Sequence, residues 1–206
     1  MAKNRIRLGV NIDHIATIKT NRKTPYPSLL NAVDIAEKNG ADLITVHLRE
    51  DRRHIQDQDL FEIKEKANLL NLEMALTAEM IDICLEIKPD FCCIVPEKRQ
   101  ELTTEGGLDI KGMENNKFKF LIDAINRIQS KDIVVSLFID PDIDQIDFCI
   151  KAGAGVVELH TGSYAEARDK EDKVHELNRI RGAAEYAASN KIRVHAGHGL
   201  NLSNLT

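Results

Sequence analysis

Histidines and carboxylates stand at the ends of several short apolar segments of this 206-residue sequence. His47 ends L-I-T-V-H, Glu158 and His160 lie in V-V-E-L-H, Glu73 lies in N-L-E-M-A, and His198 stands between two glycines. An imidazole titrates near neutral pH and an apolar pocket raises a carboxyl pKa, so this set suits serial proton transfers at one site. Because an unpaired ionised group is costly to bury, these positions imply a partner or a function.

A second group of polar residues lies at and near the end of the first predicted strand. Asn11 and Asp13 end the first apolar segment, where alternation along a strand places both on one face. Arg22 and Arg49 follow near the same rim, and a guanidinium binds phosphate or carboxylate through charge-assisted, often bidentate hydrogen bonds. The sequence therefore favours an anionic substrate.

A divalent metal ion is an alternative for the same positions. Asp13, His47, Glu158 and His160 could in principle hold one, although neither H-x-H after the first strand nor H-E-x-x-H occurs. G-x-G-x-x-G and G-x-x-x-x-G-K-[ST] are also absent from the sequence, which excludes the usual dinucleotide and P-loop sites.

The elements that must position these residues alternate in type along the chain. Apolar, β-rich runs predict strands at 7–12, 43–48, 72–76, 91–95, 133–139, 156–160 and 192–196. Amphipathic stretches predict helices at 28–39, 57–70, 77–88, 116–130, 142–152 and 172–189. The first of these helices has Ser28 as a predicted N-cap and Asn39-Gly40 as a left-handed stop.

Strand–helix alternation predicts a parallel sheet covered by helices, either doubly wound or closed into a barrel. An internal echo favours the TIM (β/α)8 barrel, since G-A-D-L-I-T-V-H at 40–47 and G-A-G-V-V-E-L-H at 153–160 share a glycine, a strand and a final histidine. Seven strands are predicted and a barrel needs eight. We therefore expect one domain over 1–206 that lacks strand eight and the last helices.

Composition excludes several classes of protein and partner. The chain is 43% hydrophobic and 30% charged, which is typical of a globular protein, and its formal net charge of -5 argues against nucleic acid or an anionic membrane as the main partner. No apolar run is long enough for a bilayer, and the start does not resemble a signal peptide, so we expect a cytoplasmic protein. The four cysteines lack C-x-x-C spacing and are expected to be reduced core residues.

Six motifs together resemble the pyridoxine 5'-phosphate synthase family. They are G-V-N-I-D-H-I-A at 9–16, T-V-H-L-R-E-D-R-R-H-I at 45–55, N-L-E-M-A at 71–75, C-C-I-V-P-E-K-R-Q at 92–100, T-T-E-G-G-L-D at 103–109 and A-G-H-G-L at 196–200. They occur in order and extend over essentially the whole chain. The resemblance implies a TIM barrel that condenses 3-amino-2-oxopropyl phosphate with 1-deoxy-D-xylulose 5-phosphate to pyridoxine 5'-phosphate, releasing phosphate and water, in vitamin B6 biosynthesis.

The resemblance also implies a role for each matching residue. His47 and Glu73 would accept protons, His198 would donate one, and Glu158 would stabilise charge in the transition states. The ketose phosphate would be bound by Asp13, His14, Arg49, His54 and Thr103, and the amino-ketone phosphate by Asn11, Arg22 and Gly199. The family uses no metal or organic cofactor and assembles as a homo-octamer. His160 is then expected to support Glu158.

Two competing functions and two further features remain. A metal-dependent sugar-phosphate epimerase or hydrolase would use the same barrel and would be inhibited by a chelator, whereas a non-catalytic assembly subunit would tolerate replacement of the strand-end residues. The loop 96–116 is a candidate lid because of its glycines. The chain has V-H-A-G-H-G where the family resembles V-N-A-G-H-G, and the sequence assigns no role to His195.

Overall fold

The computed structural model describes residues 5–22, 24–97 and 106–205. The chain divides into two compact units, unit 1 (Met1–Cys92) and unit 2 (Cys93–Thr206), and each is described by itself. The expectation of a single domain stays a prediction. Among the described residues, no helix is both long and apolar enough to cross a membrane.

Unit 1 alternates strands with helices and begins a parallel sheet. Its elements are β1 (Gly9–Asn11), α1 (Asp13–Arg22), α2 (Leu29–Lys38), β2 (Leu43–His47), α3 (Asp57–Lys66), β3 (Leu70–Ala75) and α4 (Ala78–Ile87), and β4 (Phe91–Val95) contains the boundary between the units. Strand β2 pairs in parallel with β1 on one side and with β3 on the other. The carboxyl ends of these three strands therefore lie at one edge.

Unit 2 repeats this arrangement. Its further elements are α5 (Asn115–Gln129), β5 (Val134–Ile139), α6 (Ile143–Ala152), β6 (Val156–His160), α7 (Gly162–Glu166), α8 (Lys170–Ser189) and β7 (Arg193–Gly197). Strand β6 pairs in parallel with β5 and β7. The described chain is thus a parallel α/β protein, and the strand–helix alternation predicted from the sequence is confirmed.

Local sequence explains where the elements begin and end. Helix α2 begins after Ser28, whose hydroxyl accepts the Asn31 backbone N–H at 3.3 Å, as predicted. The left-handed residue that follows this helix is Gly40, with φ +103°, whereas Asn39 has φ −100°. Helix α6 ends in the same way at Gly153, with φ +82°.

All seven predicted strands are present, but the assignment of Asp13 to the first strand is wrong. The Asp13 backbone N–H donates to Asn11 Oδ1 at 2.8 Å, and this local turn takes the chain out of β1 and directly into α1. Helix α1 was not predicted because Ala16 is its one buried residue, so it has no continuous apolar stripe. Helix α7 was not predicted because it has five residues.

The core lies on both faces of the strands. Every residue of β4 is buried, as is β5 apart from its first residue, which is the continuous burial expected of parallel strands covered by helices. The four cysteines are buried and free of disulfide bonds, as predicted.

Candidate active site

In unit 1 the Asp13 carboxylate connects the end of β1 to the end of β2. Its two oxygens lie 3.0 and 3.3 Å from the backbone N–H of His47, and it also accepts from the Asn11 side-chain amide at 3.0 Å. Burial raises the pKa of the Asp13 carboxyl, and these two hydrogen bonds only partly offset that effect. The carboxylate therefore fixes the backbone from which the His47 ring projects.

His47 and Glu73 occupy neighbouring positions on β2 and β3. Their Cα atoms are partners in the parallel register, so both side chains project from the same face of the sheet. One layer earlier, Asn11, Thr45 and Asn71 form a polar row, in which the Asn71 amide donates to the Thr45 hydroxyl at 3.4 Å. A sheet interior with two successive polar layers is suited to binding a polar molecule.

The loop after β2 holds Arg49 and His54 in defined positions. Arg49 is 7% exposed, and its guanidinium contacts the Asp51 carboxylate through two hydrogen bonds of 3.0 and 3.1 Å. His54 Nδ1 lies 2.9 Å from the Thr17 hydroxyl, and burial lowers the pKa of the His54 imidazole. Both side chains are thus oriented by neighbouring residues of unit 1.

Three other expected binding residues are less informative. His14 and Arg22 are exposed side chains of α1. Thr103 lies outside the described residues, as do residues 98–105 of the proposed lid. These assignments therefore stay predictions.

In unit 2 the Glu158 carboxyl lies in the interior beside β7 and β4. The Cys93 thiol donates to Glu158 Oε2 at 3.7 Å, and a Cβ at Gly197 would lie 2.6 Å from Oε1, so a side chain there would displace the Glu158 carboxyl group. Burial raises the pKa of the Glu158 carboxyl, and the thiol hydrogen bond opposes this rise. His195 is the register partner of Glu158 on β7, which places its side chain on the same face.

A cluster of three rings follows Glu158 at the end of the sheet. The ring centroids of His160 and His198 lie 4.9 Å apart, and Phe138 lies 5.2 Å from His160 and 6.2 Å from His198. His160 Nδ1 is 3.1 Å from Asp140 Oδ1, and this hydrogen bond lowers the pKa of the Asp140 carboxyl. Burial, and secondly the nearby His160, lower the pKa of the His198 imidazole. A protonated His198 is therefore a stronger acid than a histidine of ordinary pKa.

The backbone around His198 is held in an uncommon conformation. His198 has φ +82°, which is unfavourable for a residue with a Cβ, and strain of this kind is most common at functional sites. The buried Thr161 hydroxyl lies 2.7 Å from the Gly197 carbonyl oxygen and 2.6 Å from that of His198. Gly199 follows with φ +74°, and a Cβ there would lie 2.6 Å from that of Ala165.

The structure places the sequence-predicted residues in two groups, one per unit. Unit 1 carries Asn11, Asp13, His14, Arg22, His47, Arg49, His54 and Glu73, and unit 2 carries Glu158, His160, His198 and Gly199. Sequence reasoning did not select Asp140 or Cys93. Asp140 follows directly after β5, so its position at a strand end was an available signal, whereas nothing in the sequence distinguishes Cys93 from a core cysteine.

The arrangement provides the Glu158 carboxyl and the His198 imidazole in unit 2, and a histidine and a glutamate on neighbouring strands in unit 1. Such groups can move protons at several atoms of a bound molecule. Within residues 5–22, 24–97 and 106–205, no group of three or more His, Cys, Asp or Glu side chains is placed to hold a metal ion.

Solved structures define the class to which this chain is similar. Phosphoribosyl anthranilate isomerase from Thermus thermophilus matches with a TM-score of 0.57 and 15% identity, covering 97% of this chain and 80% of that chain. D-psicose 3-epimerase from Clostridium cellulolyticum H10 also matches with a TM-score of 0.57 and 12% identity, and the match covers 94% of this chain and 73% of the epimerase. At these identities the likeness concerns the parallel α/β fold alone.

Sequence comparison identifies the family. The family model described as pyridoxal phosphate biosynthesis protein PdxJ matches residues 8–206, and the chain belongs to this family. Pyridoxine 5'-phosphate synthase of Idiomarina loihiensis is 52% identical over 200 residues, which is 97% of this chain and 81% of that protein. The pyridoxine 5'-phosphate synthase of Geobacter sulfurreducens is 53% identical over 201 residues, which is 97% of this chain and 82% of that protein. The resemblance found from the motifs is confirmed.

Proposed function

We propose that this chain catalyses the pyridoxine 5'-phosphate synthase reaction of vitamin B6 biosynthesis. Its substrates are 3-amino-2-oxopropyl phosphate and 1-deoxy-D-xylulose 5-phosphate, and its products are pyridoxine 5'-phosphate, inorganic phosphate and water. The proposal is supported by family membership and by relatives named pyridoxine 5'-phosphate synthase that are 52% and 53% identical to this chain. We further propose a (β/α)8 barrel, a cytoplasmic location and a homo-octamer.

The chemistry requires several proton transfers at one enclosed site. The amine adds to the ketone, water and phosphate leave, and an aldol-type closure forms the ring. One base does not suffice for all of these steps. Two phosphate-binding regions would hold the reacting ends together and reduce the entropic barrier to condensation.

The observation that carries this proposal is the clustering of ionisable groups at the carboxyl ends of adjacent strands in each unit. His47 and Glu73 are register neighbours in unit 1, and we assign them as proton acceptors. In unit 2 burial lowers the pKa of His198, which favours proton donation, and we assign Glu158 to stabilise charge in the transition states.

For substrate binding we assign the residues that match the family motifs. The ketose phosphate contacts Asp13, His14, Arg49, His54 and Thr103, and the amino-ketone phosphate contacts Asn11, Arg22 and Gly199. Support differs among them: Arg49 and His54 are held by Asp51 and Thr17, whereas Thr103 rests on the motif alone.

Replacement of the proposed proton-transfer groups tests this assignment. His47→Gln, Glu73→Gln and His198→Gln should each lower kcat by about 100-fold or more, because each removes an acid or base and retains similar size. His175→Gln is the matched control, since its side chain is 70% exposed on α8. Wild-type kcat in all three site variants would contradict the proposal and would favour a non-catalytic subunit.

A further inference from the structure

Asp140 and His160 form a carboxylate–imidazole pair that the proposed reaction does not use. Asp140 Oδ1 lies 3.1 Å from His160 Nδ1, and the same oxygen accepts the Gly107 backbone N–H at 3.1 Å. Asp140 follows the end of β5 and His160 ends β6, so the pair joins two neighbouring strands of unit 2 at their carboxyl ends.

This pair determines which nitrogen of His160 carries hydrogen. An ionised carboxylate accepts hydrogen bonds and cannot donate them, and the hydrogen bond with His160 lowers the pKa of Asp140. The hydrogen must therefore lie on His160 Nδ1. In the neutral ring, Nε2 then carries a lone pair.

The position of the His160 ring is further restricted by packing. His160 is 8% exposed, and its Nε2 is buried without a hydrogen-bond partner among the described residues. A Cβ at Gly162 would lie 2.5 Å from Nε2, so the ring fills the space that this glycine leaves open. Since Nε2 is buried, it is shielded from solvent, and the polar anchor of the ring is Asp140.

The ring held in this way contacts His198. The two imidazoles meet edge to face with centroids 4.9 Å apart, and Phe138 packs against both. His198 also lies on a backbone with φ +82°, a strained conformation that persists only where the surrounding structure holds it. Displacement of His160 would therefore change the orientation of His198.

We propose that Asp140 and His160 are positioning residues, and that this pair holds the His198 ring in the orientation needed for proton donation. The proposal rests on the proposed function, in which His198 is the proton donor. Asp140 acts through His160, and neither residue needs to touch a substrate.

The first test measures the free protein. Asp140→Asn removes the charge, and Gly162→Ala forces the His160 ring to move. The matched controls are Asp142→Asn, whose carboxylate pairs with Arg179 at the surface, and Gly155→Ala, where a Cβ meets nothing within 4 Å. In ¹⁵N-edited NMR spectra we expect hydrogen on His160 Nδ1 in the wild type. The His198 ring resonances should shift in Asp140→Asn and Gly162→Ala but not in the controls.

The second test measures turnover. Asp140→Asn and Gly162→Ala should lower kcat by about tenfold, with the KM of each substrate within about twofold of wild type, as expected when an orienting partner is lost. In a His198→Gln background the two substitutions should have little further effect, because their route to the reaction has been removed. If the pair had a purely structural role, the two substitutions would lower kcat by the same factor in the wild-type and His198→Gln backgrounds.

The outcomes separate this proposal from the proposed function. Unchanged His198 resonances in both variants, hydrogen on His160 Nε2 in the wild type, or equal losses of kcat in the two backgrounds would each overturn the positioning role. A wild-type protein that makes no product would overturn the proposed function. The NMR result would then still decide whether Asp140 and His160 position His198.

Discussion

At the scale of single residues, Glu158 shows how burial determines chemistry. Its carboxyl lies in the interior, and the Cys93 thiol is the hydrogen-bond donor that the structure places beside it. Because water is largely excluded, burial raises the pKa of Glu158 above its ordinary value. The residue is thus suited to respond to charge that develops in a bound intermediate, and its position lowers the stability of the folded protein near neutral pH.

We predict that Glu158→Gln makes the protein more stable and less active. At a pH below the pKa that Glu158 has in the unfolded state, the residue is protonated in both the folded and the unfolded protein and has little effect on stability. As pH rises towards the folded-state pKa, Glu158 ionises first in the unfolded state. The free energy of unfolding of the wild type therefore falls by about 1.4 kcal/mol for each unit by which folding raises the pKa of Glu158. Glutamine does not ionise, so the stability of the Glu158→Gln variant does not fall in this way.

Urea denaturation at pH 4 and pH 8 checks this prediction. The stability advantage of Glu158→Gln should be larger at pH 8 than at pH 4, and kcat should fall. Glu185→Gln on the exposed surface of α8 is the control. An advantage that is equal at both pH values would show that ionisation of Glu158 does not limit stability.

Residue identities in the site could be predicted from the sequence to different degrees. His47, Glu73 and Glu158 were selected because ionisable residues are unusual in apolar strands, and His198 was selected because it stands between two glycines. Asp140 was missed although its position directly after β5 was an available signal. Its contact with His160 depends on the pairing of β5 with β6, which is set by tertiary structure.

At the scale of elements, Thr161 supports the turn from β7 to His198. Its hydroxyl contacts two successive carbonyl oxygens, those of Gly197 and His198, and the residue itself is 3% exposed. It lies between β6 and α7. One side chain thus joins the end of β6 to the strained turn after β7.

We predict that Thr161→Val lowers both stability and activity. Valine keeps the shape and removes the hydroxyl, which leaves two partly buried carbonyl groups with one donor fewer, at a cost of about 1 kcal/mol. Thr161→Ser keeps the hydroxyl and should retain most of both properties. Thermal denaturation and kcat measure the effect, and a valine variant as active as the serine variant would contradict the supporting role.

Element positions were more predictable than their ends and turns. Continuous apolar runs identified all seven strands, because parallel strands are covered on both faces. The start of α1 was missed because a side-chain hydrogen bond of Asn11, rather than any apolar pattern, turns the chain at Asp13. Helices with weak stripes, such as α1, are stabilised mainly by tertiary contacts that periodicity does not reveal.

At the scale of the whole molecule, the account predicts catalysis without a metal ion. The family resemblance implies that proton transfers and phosphate binding suffice. Dialysis against EDTA, followed by assay with and without added divalent cations, should leave the rate of product formation unchanged. Loss of activity that Mg²⁺, Mn²⁺ or Zn²⁺ restores would favour the metal-dependent sugar-phosphate enzyme instead.

The central claim is tested most directly by product formation. The protein is incubated with freshly generated 3-amino-2-oxopropyl phosphate and 1-deoxy-D-xylulose 5-phosphate, and pyridoxine 5'-phosphate is followed by its fluorescence, with each substrate alone as a control. We expect product only when both substrates are present. Absence of product when both substrates are present would contradict the proposed function.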